Sequence, residues 1–447
     1  INTILMDRLN HLISCCLLII VTASTLILSS CSEIEQPEVK PTPEQPETPA
    51  PADGDDEEKP DDGLIEVPDL KFSTAQKVAV DNILKFSFEL NKIVADNFNA
   101  VYVGNTTGNY SISPISLIAC GSLLANAADG DAPDKMAKAL GFENIEDMNT
   151  VVSQLLRILP DKSQGSTVVF TNSVWVNNLF KPAATYTNKM SELFSAQVTT
   201  LDFTAANSVD IINDWCKRAT NGMIPKLVNS LDPHTLAAFA NAMYFEGAWD
   251  SKFDINQTTT EQFVGRNGSS DVDMMHQEFN AEYAANDFAE MLSIDYSGQG
   301  YVLDIVLPKS GIASEAIDFE TYKSLRNAQR SYEVNLSLPR FKDEADADLN
   351  TVMTALGFPM NDYTMETLGI PVINEVAGMQ AVQKTAIDVN EEGSKAAAAT
   401  FFGPFTSEFP GDTQVLKVDF TVNRPFFYVL RNNYTNVVLL MGCVNNL

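Results

Sequence analysis

Glu391-Glu392-Gly393-Ser394-Lys395-Ala396-Ala397-Ala398-Ala399-Thr400 is an acidic, glycine-pivoted lead into a run of small side chains. Gly393 lacks the Cβ that restricts other residues, and between Ser394 and Thr400 only Lys395 has much rotamer entropy to lose. Such a run can exchange its backbone partners at low steric cost. Its composition also suits a short helix, because alanine is the best helix former and two glutamates favour the positive end of a helix dipole. The run alone leaves both readings open, and its surroundings decide.

Downstream, Phe420-Thr421-Val422-Asn423-Arg424-Pro425-Phe426-Phe427-Tyr428-Val429-Leu430 leads through a polar turn, Arg431 to Asn436, into Val437-Val438-Leu439-Leu440-Met441-Gly442-Cys443-Val444. This pattern predicts two apolar strands and a turn. Upstream, Asn109-Tyr110-Ser111-Ile112-Ser113-Pro114-Ile115-Ser116 opens a long apolar helix, and Asn241-Ala242-Met243-Tyr244-Phe245-Glu246-Gly247-Ala248-Trp249 closes a buried strand. Asp202-Phe203, Ile212-Asn213-Asp214-Trp215 with Thr220-Asn221-Gly222-Met223-Ile224, and Ile305-Val306-Leu307-Pro308 complete the set. From about Ala75 to the C-terminus, these motifs in this order resemble the serpin family of suicide protease inhibitors.

The resemblance implies an α+β fold, a helical cluster packed on three β-sheets with an exposed reactive loop at about 391–414. It also implies a mechanism. A serine protease attacks the loop as substrate, and the acylated loop inserts into the large central sheet and deforms the enzyme. In this reading Glu391, Gly393, Ser394, Ala396, Ala397, Ala398 and Ala399 form the hinge, continuing a strand over Gln380 to Val389. Strand alternation then turns Ser394, Ala396, Ala398, Thr400 and Phe402 inward and Lys395 outward. A charge at position 394 or 396 would have to be desolvated during insertion, at a cost of several kcal/mol. The family's loop length places the cleaved bond between Ser407 and Glu408, with Phe405, Thr406 and Phe409 as competitors. Elastase-like, subtilisin-like or chymotrypsin-like targets are expected, with cysteine proteases as a second class. The absence of Arg and Lys between Thr400 and Gln414 argues against trypsin-like ones.

Ser111, Ser113 and Asn241 match the hydrogen-bonded region that governs sheet opening in the family, where Gln383 stands in place of a common histidine. Glutamine can also both donate and accept, so the switch is expected to survive in altered form. Lys395 stands where glutamate is common. A non-inhibitory member acting as a binding or adhesion lipoprotein would share every packing motif and differ only in its loop.

Composition sets independent limits. With 45% hydrophobic content in 447 residues, the chain can bury a large core, and a net charge of −30 argues against nucleic acid or anionic lipid as partner. Residues 32–66 carry −11 of that charge and the rest about −19. The uncharged, apolar stretch from Leu12 to Leu28, ending in Leu28-Ser29-Ser30-Cys31, resembles a bacterial lipoprotein signal (1–31) with Cys31 as the lipidated residue. Residues 32–68, rich in Pro, Glu and Asp, read as an extended tether to the domain at 69–447. This predicts a Gram-negative outer-membrane lipoprotein, surface-exposed or periplasm-facing, held to the membrane only by its lipid. A monomer is expected.

Cys120, Cys216 and Cys443 sit in apolar or amphipathic stretches and read as buried small hydrophobes. His234 and His276 have no metal-ligand spacing, and GxSxG, GxGxxG and phosphate-loop patterns do not occur, so no cofactor, metal or catalytic residue is predicted. A hydrolase would need one of these histidines beside a serine in a cleft. Helical spacing runs over Thr74–Asn97, after Pro114, over Asp147–Ile158 and over Ala206–Ala219. Strand-like runs cover Ser166–Val176, Ala237–Phe245, Tyr301–Leu307, Ser331–Leu338 and Gln380–Val389. Helices gather early and strands late, which also argues for α+β.

Overall fold

The computed structural model describes residues 16–24 (as backbone), 74–160, 165–298, 300–361, 363–371, 379–394 and 416–447. Nine helices in these residues cluster mostly in the first half: α1 (Thr74–Asp96), α2 (Phe98–Val101), α3 (Pro114–Ala125), α4 (Ala132–Ala139), α5 (Ile145–Ile158), α6 (Ala184–Phe194), α7 (Ser208–Ala219), α8 (Phe319–Ala328) and α9 (Asn350–Ala355). Helix α3 is apolar on every side, and every residue of it is buried, as such a composition requires. Its start is fixed by Pro114 at the first position and by Ser113, whose hydroxyl accepts from the Ser116 amide.

Two hydrogen-bonded sheets flank α3, which packs on β5 from one side and on β16 from the other. The seven-stranded sheet runs in the order β11 (Phe341–Asp348), β12 (Met379–Val389), β1 (Cys16–Ser24), β5 (Ala237–Ala248), β3 (Ser166–Asn177) and β4 (Gln197–Leu201). The two-residue β13 (Gly393–Ser394) pairs with the end of β5. The nine-stranded sheet runs β14 (Lys417–Thr421), β10 (Arg330–Pro339), β7 (Gly268–Ala285), β8 (Ala289–Asp295), β9 (Tyr301–Pro308), β15 (Phe426–Asn432), β16 (Val438–Val444) and β2 (Tyr110–Ile112), with β6 (Thr259–Gly265) paired to β7. The third expected sheet is continuous with the second. The 18-residue β7 is long enough to pair with β6, β10 and β8 along its length and so joins them.

The main core lies between the sheets and the helical cluster and holds Phe239, Phe245, Trp249, Tyr301, Phe426 and Tyr428. A smaller core on the opposite face of β3 and β5 is covered by α7, where Trp175 meets Trp215 edge-on at 5.0 Å. At Gly442 of β16 the backbone of β2 comes so close that a Cβ would sit 2.1 Å from the Tyr110 carbonyl oxygen, so only glycine fits. The stretch expected to be a signal contributes β1, which lies parallel to both β12 and β5 and separates them. A continuous apolar run rich in Leu, Ile and Val is also what a fully covered parallel strand needs, so one composition serves both readings.

Candidate functional site

Strand β12 ends at Val389 and the chain turns through Asn390-Glu391-Glu392-Gly393, closed by paired bonds between Asn390 and Gly393 at 3.1 and 3.2 Å. Gly393 adopts φ +135°, and a Cβ there would lie 2.2 Å from the Gly247 carbonyl oxygen. No other residue fits this close crossing over the end of β5. The chain then starts back down beside β5 in antiparallel register, Gly393 opposite Ala248 and Ser394 opposite Gly247. Ser394 is fully buried, and its hydroxyl lies 2.8 Å from that of Tyr296. Burial drives the Tyr296 phenol well above its ordinary range, so it stays a neutral hydrogen-bonding partner.

The turn is clamped by groups far away in sequence. Arg340, between β10 and β11, holds the buried Glu391 carboxylate with Nε at 2.8 and 2.9 Å and Nη2 at 2.6 Å. The Thr258 hydroxyl donates to the same carboxylate at 2.5 Å, and the outer Nη1 of Arg340 reaches Asp273 at 2.9 Å. Burial pushes the Glu391 pKa up, but the bonds from Arg340 and Thr258 outweigh it and hold the carboxylate below its usual range. The Trp249 indole donates to the Asn390 carbonyl at 2.8 Å and stacks on Tyr296 at 4.4 Å, and the Trp249 and Phe253 amides bind the Glu392 and Glu391 carbonyls. Lys252 meets the Glu392 carboxylate at 2.7 Å.

Halfway down the sheet, the four residues assigned to sheet opening form two separate sets. Gln383 of β12 binds the backbone of Ser113 twice, its Oε1 accepting from the amide at 2.9 Å and its Nε2 donating to the carbonyl at 3.0 Å. Two residues on, the Thr385 and Ser111 hydroxyls are 2.7 Å apart. The set extends to Asp343 of β11, which accepts from the Tyr428 hydroxyl at 3.3 Å. Asn241 of β5 turns the other way and donates to Asn172 of β3 at 2.8 Å, and Asn172 donates to the Phe194 carbonyl at 2.8 Å. One half of the sheet is thus anchored to β2 and the head of α3, and the other to β3 and the end of α6. The seam runs between β12 and β5, and β1 fills it.

Ala396 to Ala399, the bond Ser407–Glu408 with its competitors Phe405, Thr406 and Phe409, and Cys31 all lie outside the described residues. Sequence reasoning missed Arg340, Thr258, Tyr296 and Asn172. Arg340 lies 51 positions from Glu391, so no local spacing could have paired them. Gln383, the departure from the family pattern, makes two backbone bonds with one carboxamide.

The described residues hold no cluster of three or more His, Cys, Asp and Glu fit for a metal. Cys120, Cys216 and Cys443 are buried thiols, and burial drives Cys216 and Cys443 up to about 12. His234 is exposed beside Asp232. His276 has Ser337 at 3.1 Å from Nδ1 and Glu261 at 2.9 Å from Nε2, a row across β10, β7 and β6 in which Thr259 also contacts Nε2. In that row the His276 side chain is 26% exposed and that of Glu261 40% exposed.

A family model described as "Serpin (serine protease inhibitor)" matches residues 85–447. An uncharacterized serpin-like protein of Thermococcus kodakarensis is 28% identical over 90% of this chain and 94% of its own. An antitrypsin of Bombyx mori is 31% identical over 79% of this chain and 92% of its own. The native state of the thermophilic serpin tengpin superposes with TM-score 0.70 at 26% identity, covering 82% of this chain and 94% of that one. Human thyroxine-binding globulin, solved with thyroxine, gives TM-score 0.71 at 22% identity, covering 83% of this chain and 99% of that one, a likeness of fold alone.

Proposed function

This chain belongs to the serpin family, and from that premise we propose that it is a suicide-substrate inhibitor of serine proteases, carried on a lipid at Cys31. The protease serine attacks the carbonyl carbon of Ser407, the bond to Glu408 breaks, and the new amine leaves with a proton. Ser407 stays esterified to the enzyme. The freed loop then enters the seam between β5 and β12 before water can cleave the ester. Because the fold is shared with a thyroxine-bound protein, the fold alone does not carry this reading.

The observation that carries it is the hinge, where two loop residues already pair with β5 and the inward one, Ser394, is small and buried. Continued in that register, Lys395 falls opposite Glu246, Ala396 opposite Phe245, and the run reaches Pro404 opposite Ala237, the first residue of β5. Pro404 lacks an N–H for the ladder, so it suits the end of the inserted strand. Ser407 and its ester then lie just past the far end of the sheet. The register also accounts for Lys395, since an outward lysine directly across from Glu246 forms a favourable cross-strand pair. A strand inserted between two neighbours gains on the order of ten backbone hydrogen bonds at about 1 kcal/mol net each. This matches the ~5–15 kcal/mol stability of a typical domain and makes the loop-out form a long-lived state.

The test is incubation of the chain from Cys31 onward with elastase-like, subtilisin-like and chymotrypsin-like proteases, followed by denaturing gels and mass analysis. A complex that survives denaturation is expected, with release of the peptide beginning at Glu408. Ser394→Arg, which forces a charge into a fully buried position, should leave the loop cleavable and abolish the complex. Clean cleavage without a complex and without a gain in thermal stability would overturn the reading in favour of a binding protein of serpin shape.

A further inference from the structure

The seam has a second occupant within the same chain. Strand β1 pairs with β12 from Cys16 opposite Met379 to Ala23 opposite Ala386, and with β5 from Cys16 opposite Ala237 to Ser24 opposite Phe245. Its midpoint, Ile20, sits opposite Gln383 on one side and Asn241 on the other, the two residues that anchor the halves of the sheet. Leu12 to Leu28 contain no charge and no proline, so nothing in the run opposes pairing on both edges. Residues 25–73 between this strand and α1 can extend to about 160 Å, so the connection imposes no strain on reaching the seam.

Registers decide what this does to the loop. On the same edge of β5, the hinge uses Ala248 and Gly247, and β1 uses Phe245 to Ala237. The two strands therefore lie end to end, antiparallel and parallel to β5 respectively. In the hinge's register Ala396 needs Phe245, which Ser24 holds, so the loop can advance by one residue, Lys395, before it meets the leader. Insertion from Ala396 to Pro404 needs the nine β5 positions that β1 occupies.

We propose that in the unprocessed chain the leader strand Cys16–Ser24 fills the seam and blocks loop insertion, so that removal of the leader arms the inhibitor. This rests on the reading of the seam as the loop's destination. Leader and loop differ in composition as well as direction. The leader is rich in Leu, Ile and Val where the loop is mostly alanine. A precursor folded before export would be cut by proteases as a substrate. Processing at Cys31 withdraws the competing strand once the protein reaches its membrane.

The experiment uses the full chain, confirmed monomeric by sizing, and measures amide hydrogen exchange of the leader itself. Residues Leu17 to Ala23 should exchange at least about a hundredfold slower than residues 32–66, and Ile20→Pro should remove that protection while β15 and β16 keep theirs. Leader amides exchanging as fast as residues 32–66 would overturn the proposal. In a second measurement the folded chain is nicked at Ser29-Ser30. Retention of the leader peptide through gel filtration supports occupancy whether or not Ile20→Pro folds, and immediate loss overturns it. Denaturation-stable complexes should rise at least about fivefold on Ile20→Pro or on removal of the leader. Equal yields with a protected leader would overturn the block. A protected leader with no complex from any form would leave the occupancy standing and sink the inhibitor reading instead.

Discussion

The two sheets use their buried polar groups in opposite ways. In the nine-stranded sheet, Asp304 of β9 and Arg431 of the neighbouring β15 form a buried ion pair, with Nε to Oδ2 at 2.6 Å and Nη2 to Oδ1 at 3.1 Å. Ser293 of β8 and Tyr322 of α8 each donate to the same carboxylate at 2.5 Å. Three adjacent strands and a covering helix are thereby tied across their junctions. In the seven-stranded sheet, Gln383, Thr385 and Asn241 all bind away from the junction of β5 and β12. No side-chain bond among them crosses the seam, and what fills it is backbone pairing, which any strand can supply. One sheet is bolted across its joints, and in the other these groups leave one joint untied.

Asp304→Asn breaks the contrast on the rigid side. It leaves Arg431 buried without a counter-charge and should cost about 3–5 kcal/mol in chemical denaturation. Protease complex formation by the folded fraction should be unchanged, and a drop in it would show that the nine-stranded sheet takes part in the switch.

On the opening side, burial pushes Asp343 from an ordinary 3.8 up to about 6, against the opposing bonds from Ser111 and Tyr428. The native state therefore holds a proton that the unfolded chain has lost between about pH 4 and 6. This contribution is full below pH 4 and decays as pH rises through 6, by on the order of 3 kcal/mol. Asp343→Asn should flatten that part of a stability-against-pH curve, and an unchanged slope would place the group elsewhere. Glu391 has the opposite sign, since its lowered pKa gives stability that is present above its ordinary 4.5 and lost on acidification. Acid thus loosens the hinge clamp while the cluster below it tightens.

The smallest effect sharpens the register. In a double-mutant cycle of Lys395→Ala and Glu246→Ala, the thermal stability of the cleaved, loop-inserted form should show a coupling of roughly 0.2–1 kcal/mol. The uncleaved form should show none, and coupling there too would mean that the loop is already paired beyond Ser394.

The elements legible in sequence were those whose burial is uniform. Strands β5, β9, β15 and β16 are near-continuous apolar runs whose bounds fall close to those read from the chain, and the start of helix α3 at Pro114 was legible in the same way. Strand β11, Phe-Lys-Asp-Glu-Ala-Asp-Ala-Asp, was missed because its inward side chains are Phe341, Asp343, Ala345 and Ala347, too small or too polar to stand out among outward charges. The polar β7 was missed for the same reason, since three strands pair along it while half its side chains face solvent. At the site, Gly393 and Ser394 were legible because glycine and small residues are local signals. The partners that hold them were not, because Arg340 and Thr258 meet Glu391 only after two sheets have assembled.

The tryptophans divide between the top of the seam and the face of the seven-stranded sheet that α7 covers. Trp175 and Trp215 contact each other beneath α7. The third of the chain's three indoles, Trp249, stacks on the Tyr296 ring that holds Ser394 and bonds the hinge carbonyl of Asn390. The molecule therefore carries an optical gauge at the top of the seam and an indole pair on β3 and α7. A change in what lies along that edge should register in one emitter of three, without any added label.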